Sequence, residues 1–363
     1  MIKISEKTKA LVCIGSGGVG KTTLAASVAL GQAALGRKVF ILTIDPSLRL
    51  AQALNFKTDG KVHTIETPEI KKSGGLLQTS VLRHENVFTE FFVEACSSQP
   101  SAEKDIQKIK DNKLFRQLST QLGSSQDFTA IYKLNQLVRS GLYDLVVLDT
   151  PPAQHTWQFL QAPEKIAQLF NEGVAQWFRE SQEKSGLVKR VLNLGTRQVL
   201  KALETLTGSE FLIELSLFFQ AIQKWQAPLE RQVLDCHKLL VSETTHFLLV
   251  TGLDSSRMKE AQLISQEIIK EGYKLTSLVL NRFPDWALQN DTDLNTAALD
   301  QPRLIELRKY YKRLTSEIAV NQKNFQKNLV LYKSAELRQS DVNINGLLKM
   351  YSEIKPLDNM SVS

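Results

Sequence analysis

Four of the six residues from Gly15 to Gly20 are glycine, and the string Gly15-Ser16-Gly17-Gly18-Val19-Gly20-Lys21-Thr22 fits G-x-x-x-x-G-K-[ST]. The apolar run Ala10–Ile14 precedes it and the helix-like stretch Thr22–Leu35 follows it, which is the strand-to-helix setting such a loop needs. Glycines let a backbone curl tightly and turn successive N–H groups toward one anion, while the helix that follows adds the favourable end of its dipole. In that arrangement Lys21 brings a cation to the β- and γ-phosphates of a nucleotide and Thr22 offers its hydroxyl to Mg²⁺, with Thr23 the last residue of the ATP-binding run. The loop implies a nucleoside triphosphate, ATP, with Mg²⁺ as its metal.

A loop of this kind belongs at the carboxyl edge of a parallel sheet. Further apolar runs suit buried parallel strands: Val39–Ile44, Leu145–Leu148, Phe247–Thr251 and Leu278–Leu280. Amphipathic stretches between them, including Phe128–Ser140 and Arg257–Glu271, read as helices. The alternation predicts an α/β fold, a doubly wound and mostly parallel sheet with helices on both faces.

Two segments break the alternation. Residues from about 87 to 123 are helical in pattern and highly charged. Residues 163–237 hold no convincing strand and read as an inserted helical subdomain. Within it Phe211, Leu215, Phe218, Ile222 and Trp225 recur at spacings of three and four, one stripe of a helix. That stripe suits either an apolar client or partner face or the subdomain's own core. The organisation expected is a core in two parts, 1–162 and 238–355, with a loose tail at 356–363.

Two of the strands end in acids. Val39–Ile44 leads to Asp45-Pro46, and Leu145–Leu148 leads to Asp149-Thr150-Pro151-Pro152. Ligands of open α/β sheets bind outside the carboxyl ends of strands, so both carboxylates are expected at the same crevice as the loop. One acid near Mg²⁺ and one that orients a water are what phosphoryl hydrolysis requires. Taken alone, either aspartate also suits a helix N-cap, a reading that weakens when both follow such a loop.

The bulk composition narrows the rest. The 363 residues are 42% hydrophobic and 23% charged, ordinary for a globular chain. No run reaches the ~18 apolar residues of a membrane span, and the first residues lack the apolar core of an export signal, so a cytoplasmic location is expected. The three cysteines, Cys13, Cys96 and Cys236, form no CxxC pair, so neither zinc nor an iron–sulfur cluster is expected. A net charge of +7 is spread through helical segments, and nucleic acid is not expected as a partner.

Several of these residues together resemble one family. The triple-glycine loop resembles the deviant Walker A of the MinD/arsenite-pump superclass, and Thr43-Ile44-Asp45-Pro46 looks like its switch I. Asp149-Thr150-Pro151-Pro152-Ala153-Gln154-His155-Thr156, followed by Phe159-Leu160-Gln161-Ala162-Pro163, is similar to the switch II signature of the ArsA family. That family includes the arsenite-pump ATPase and the ATPases that target tail-anchored membrane proteins. The resemblance implies that Asp45 positions the attacking water and that Asp149 senses the γ-phosphate through the Mg²⁺ shell. It also implies that Asn281, in Val279-Leu280-Asn281, hydrogen-bonds adenine, and it includes Pro152 and His155 in switch II. An amide suits adenine because it offers a donor and an acceptor together.

The chain departs from the family in three respects. Ser16 stands where the family has a signature lysine that reaches across a dimer to the partner's phosphates. No CxxC clasp is present, and the cysteines offer no metalloid grouping, so arsenite handling is not expected. The leading expectation is a dimeric, ATP-driven switch ATPase that moves its helical subdomain, as a homodimer or as a heterodimer with a lysine-bearing paralogue. The alternative is an ATP-binding regulatory or scaffold partner with little hydrolysis of its own, a reading that Ser16 motivates. A ParA-like ATPase on DNA fits the charge but not the long insert or the switch II string.

Overall fold

The computed structural model describes residues 1–44, 49–96, 102–113, 115–116, 123–150, 159–169, 225–288, 302–321, 325, 329–337 and 341–357. The chain divides into two compact units, one of Met1–Leu82, Gln136–Trp157 and Leu239–Ser363, the other of Arg83–Asn135 and Gln158–Lys238.

The first unit is a nine-stranded sheet. In chain order its strands are β1 (Ala10–Gly15), β2 (Lys38–Thr43), β3 (His63–Ile65), β4 (Leu76–Val81), β5 (Leu145–Asp149), β6 (Thr245–Thr251), β7 (Leu275–Asn281), β8 (Val330–Ser334) and β9 (Lys355–Pro356). Across the sheet they lie in the order β3-β4-β2-β5-β1-β6-β7-β8-β9. All neighbours are parallel except the outermost pairs, β3 with β4 and β8 with β9, which are antiparallel. The expected doubly wound sheet is present. Its central strands are buried along their length, which is why they read as continuous apolar runs.

Helix α1 (Lys21–Ala34) runs back along the sheet from the end of the glycine loop. Its inner residues are mostly alanine and other small side chains, and nearly all of them from Leu24 to Ala33 are buried. A helix covered on all sides needs small residues to let its neighbours approach. At Gly31 a β-carbon would overlap the ring of Tyr351, which lies in the helix Ile344–Glu353. Polar side chains on this buried surface are paired: Ser27 Oγ donates to Leu347 O at 2.8 Å, and Gln32 Nε2 donates to Tyr351 Oη at 2.6 Å. The helix is thereby wedged between the sheet and the Ile344–Glu353 helix, and its first turn is held in a fixed place.

Four strands are not among the expected ones: β3, β4, β8 and β9. Pro356, expected to open the tail, lies in β9, and Leu357 N–H donates to Leu331 O at 2.8 Å. Residues beyond 357 lie outside the described part.

The described residues of the second unit include no strand, and it holds the helices His84–Cys96, Ala102–Asp111, Ala162–Leu169 and most of Gly123–Arg139 and Gln226–Leu240. Its core is aromatic: Phe91 meets Phe128, and Phe92 meets Phe115, edge to face at centroid distances of 4.9 Å. Each such pair is worth about 0.5–1.5 kcal/mol beyond the area it buries. Both segments that interrupt the strand pattern, 87–123 and 163–237, fall in this unit.

Candidate nucleotide site

Strand β1 ends at Gly15, where a β-carbon would overlap the carbonyl oxygen of Val250 on the neighbouring β6. The backbones approach there too closely for any side chain. The loop then emerges: Gly17 and Gly18 are exposed, while Ser16 and Val19 are buried. Gly20 closes it in the left-handed conformation (φ 86°, ψ 24°), which a residue with a β-carbon adopts only with strain.

The start of α1 is bare. Gly20 provides no side-chain cap, and the first turn contains no acidic residue. Its amide donors and the positive end of its dipole are left for an external acceptor. Lys21 deepens this positive field, since it is only 8% exposed and pairs with no described residue. A bound anion would give this nearly buried ammonium group a charge-assisted hydrogen-bond partner.

Asp149 closes β5 directly beside this field and is 0% exposed. Its position follows from register: it lies opposite Cys13 of β1 and Thr43 of β2. Thr43 Oγ1 donates to Asp149 Oδ2 at 3.1 Å. The Cys13 thiol reports the local charges, because burial and then Asp149 push it well above the usual thiol range while Lys21 pulls it back. Thr150, the next residue, donates both its N–H (3.3 Å) and its hydroxyl (2.7 Å) to Cys13 O.

Asn281 ends β7 and reaches the loop from the other side. Its Nδ2 donates to Val19 O at 2.7 Å, and it lies so close to Gly20 that a β-carbon there would overlap the amide nitrogen. The residue is 4% exposed, and its Oδ1 has no hydrogen-bond partner among the described residues. The Ser334 hydroxyl, opposite Asn281 in the β7–β8 register, likewise has none.

Ser16 faces inward. Its hydroxyl donates to Glu260 Oε2 at 2.7 Å, and Glu260 belongs to the helix Ser255–Lys270, capped at Asp254 by a 3.0 Å bond from Arg257 N–H. Thr22 and Thr23 are half-buried.

Of the residues expected at the site, Gly15 to Thr23, Asp149 and Asn281 are brought together at the carboxyl edge of the sheet. Asp45, Pro152 and His155 lie outside the described residues, as do Phe211, Leu215, Phe218 and Ile222 of the apolar stripe. Trp225, the stripe's described member, is 1% exposed and offers no surface to a client. The sequence names Thr43 only as the first residue of the switch I string, with no contact assigned to it, and does not single out Glu260. Thr43 carries a usable signal, since it precedes Asp45 at the end of a strand, whereas the link between Ser16 and Glu260 spans 244 positions and leaves no local pattern.

A glycine loop with an uncapped helix start, at the carboxyl edge of a parallel sheet and beside a buried aspartate, defines a P-loop nucleotide-binding protein. The sequence profile of the family described as Anion-transporting ATPase matches residues 8–324, and the chain belongs to that family of ATPases. A putative arsenical pump-driving ATPase of Halobacterium salinarum is 26% identical over 165 residues, covering 44% of this chain and 24% of that protein. The ATPase ASNA1 homolog of Dictyostelium discoideum is 25% identical over 189 residues, covering 52% and 50%. ATPase get3 of Aspergillus terreus is 20% identical over 282 residues, covering 77% and 74%. The chain thus spans about a quarter and a half of the length of the first two. Among the described residues no helix is long and apolar enough to cross a membrane.

Proposed function

We propose that this protein binds and hydrolyses Mg-ATP as a dimeric switch ATPase, coupling the nucleotide to movement of its helical unit. The observation that carries the reading is Lys21, a nearly buried ammonium group with no partner among the described residues, at the uncapped start of α1. A polyphosphate is the ligand that such a position favours.

In this reading the Lys21 ammonium holds the β- and γ-phosphates, and the Thr22 hydroxyl ligates Mg²⁺. The buried carboxylate of Asp149 fits a place in the metal's outer shell, acting through water, with Thr43 fixing its rotamer. Mg²⁺ when bound neutralises charge on the phosphate oxygens. Asp45 orients the attacking water, and His155 and Pro152 belong to the segment that responds. The unpartnered Oδ1 of Asn281 suits the amino group of adenine, and its amide holds the loop by Val19. Measurement of Mg-ATP binding and phosphate release by the purified protein tests the reading; a chain that binds no Mg-ATP refutes it.

A second reading, an ATP-binding regulatory partner with little turnover of its own, is favoured by one observation. Ser16 is turned into the protein toward Glu260 and carries no charge to a second chain. A lysine-bearing paralogue would then complete the pair. Comparison of ATP turnover by the protein alone and mixed with such a paralogue separates the two, since only the second requires the mixture.

A further inference from the structure

The glycine loop is strung between two side chains from elsewhere in the sequence. Asn281 holds its exit at Val19, and Glu260 holds its entry at Ser16. Between these points Gly17 and Gly18 are exposed. The two anchors differ in charge. The Asn281 amide is neutral, but the Glu260 carboxylate is an anion one hydrogen bond away from a residue of the cradle.

We infer that Glu260 is a positioning residue that fixes the phosphate loop through Ser16 and whose negative charge makes the site discriminate against the more highly charged nucleotide. The inference rests on the nucleotide-binding reading of the site. Its two parts follow from the 2.7 Å bond from a serine that is 4% exposed. A hydroxyl bound to a carboxylate is a charge-assisted hydrogen bond, stronger than one to a neutral acceptor, so the loop's entry is held firmly before any ligand arrives. A fixed anion beside the cradle opposes incoming phosphate, and it opposes a triphosphate more than a diphosphate. Glutamate therefore gives a well-ordered loop with moderated affinity, where glutamine would give a slightly weaker anchor and no repulsion.

The two parts are separable by substitution. Glu260→Gln keeps an acceptor for Ser16 and removes the charge. Ser16→Ala removes the anchor and leaves the charge, and Ser16→Thr restores the hydroxyl. Calorimetric titration with Mg-ATP and with Mg-ADP, at low and high salt, reads each effect. Glu260→Gln is expected to bind Mg-ATP about three- to tenfold more tightly than wild type, with a smaller gain for Mg-ADP, and the gain shrinks as salt screens it. Ser16→Ala is expected to bind both nucleotides about three- to tenfold more weakly, and Ser16→Thr to recover most of the loss. A purely structural contact would change the melting temperature without altering the ratio of ATP to ADP affinity. Glu260→Gln binding Mg-ATP no more tightly than wild type, or Ser16→Ala binding as well as wild type, overturns the inference. Lys21→Ala serves as the control. Binding present in wild type and lost in Lys21→Ala, with Glu260→Gln unchanged, removes this inference alone, whereas a wild type that binds no nucleotide removes the site reading with it.

Discussion

Asn281 and Val19 are 262 positions apart in sequence, yet the side-chain amide of one donates to the carbonyl of the other at 2.7 Å. The last residue of β7 thus holds the glycine loop from behind. Asn281→Asp replaces the donor with an anion facing a carbonyl oxygen, so both the loop and any base contact suffer. Mg-ATP affinity is expected to fall at least tenfold in this variant, and by less in Asn281→Ala, measured by titration of a fluorescent ATP analogue. Equal affinity in all three proteins would remove Asn281 from the site.

Lys21→Ala deletes the buried cation. The folded protein is expected to keep its melting temperature within a few degrees without nucleotide, because Lys21 forms no hydrogen bond or ion pair with a described residue. Nucleotide-induced stabilisation is expected to disappear. Thermal unfolding with and without Mg-ATP checks both halves, and a preserved ligand-induced shift contradicts the role given to Lys21.

Asp45→Asn separates binding from chemistry. Affinity for Mg-ATP is expected to stay within a few-fold of wild type while turnover falls on the order of a hundredfold, since water orientation is lost and phosphate contacts are kept. Steady-state phosphate release, with affinity measured in parallel, decides it; an undiminished rate rules Asp45 out.

Ser16→Lys restores the family's lysine but places it against Glu260. The new ammonium is expected to pair with that carboxylate within its own chain, so turnover by Ser16→Lys rises little. The double variant Ser16→Lys/Glu260→Gln frees the lysine to act across a dimer and is expected to turn over faster than either single variant. No difference between the double variant and Ser16→Lys refutes capture by Glu260.

His246 gives the stability a pH dependence. Its ring lies 3.0 Å from Thr8 Oγ1, and burial lowers its proton affinity below the ordinary value of 6.5, with Lys274 acting in the same direction. The unfolded chain therefore binds the proton more readily than the folded one. His246 imposes no penalty above pH 6.5, and stability falls as the pH drops below it. Melting temperatures at pH 7.5 and 5.5 are expected to differ less for His246→Asn than for wild type.

The parts of the fold that are legible in sequence are those where a single physical demand acts on contiguous residues. Buried parallel strands need unbroken apolar runs, so β1, β2, β5, β6 and β7 are visible within a few residues. The remaining strands meet that demand only in part: the edge strands β3 and β9 have three residues and two, β4 is buried at only some of its positions, and β8 begins with an exposed valine. The site follows the same rule. The loop and Asp149 announce themselves locally and Thr43 is marked by its place before Asp45, whereas Glu260 matters only through tertiary approach. Trp225 shows the limit of helical periodicity, which finds a stripe but does not say what covers it.

The two reversed edge strands also limit how this molecule meets other proteins. An open sheet edge invites a further strand, and long, flat edges are where chains polymerise. Here one edge is a three-residue ribbon and the other a two-residue one that includes Pro356, a residue with no backbone donor to offer. Concentrated solutions are therefore expected to resist fibre-like growth through strand addition, and association is directed to the faces and loops of the domain rather than to its margins.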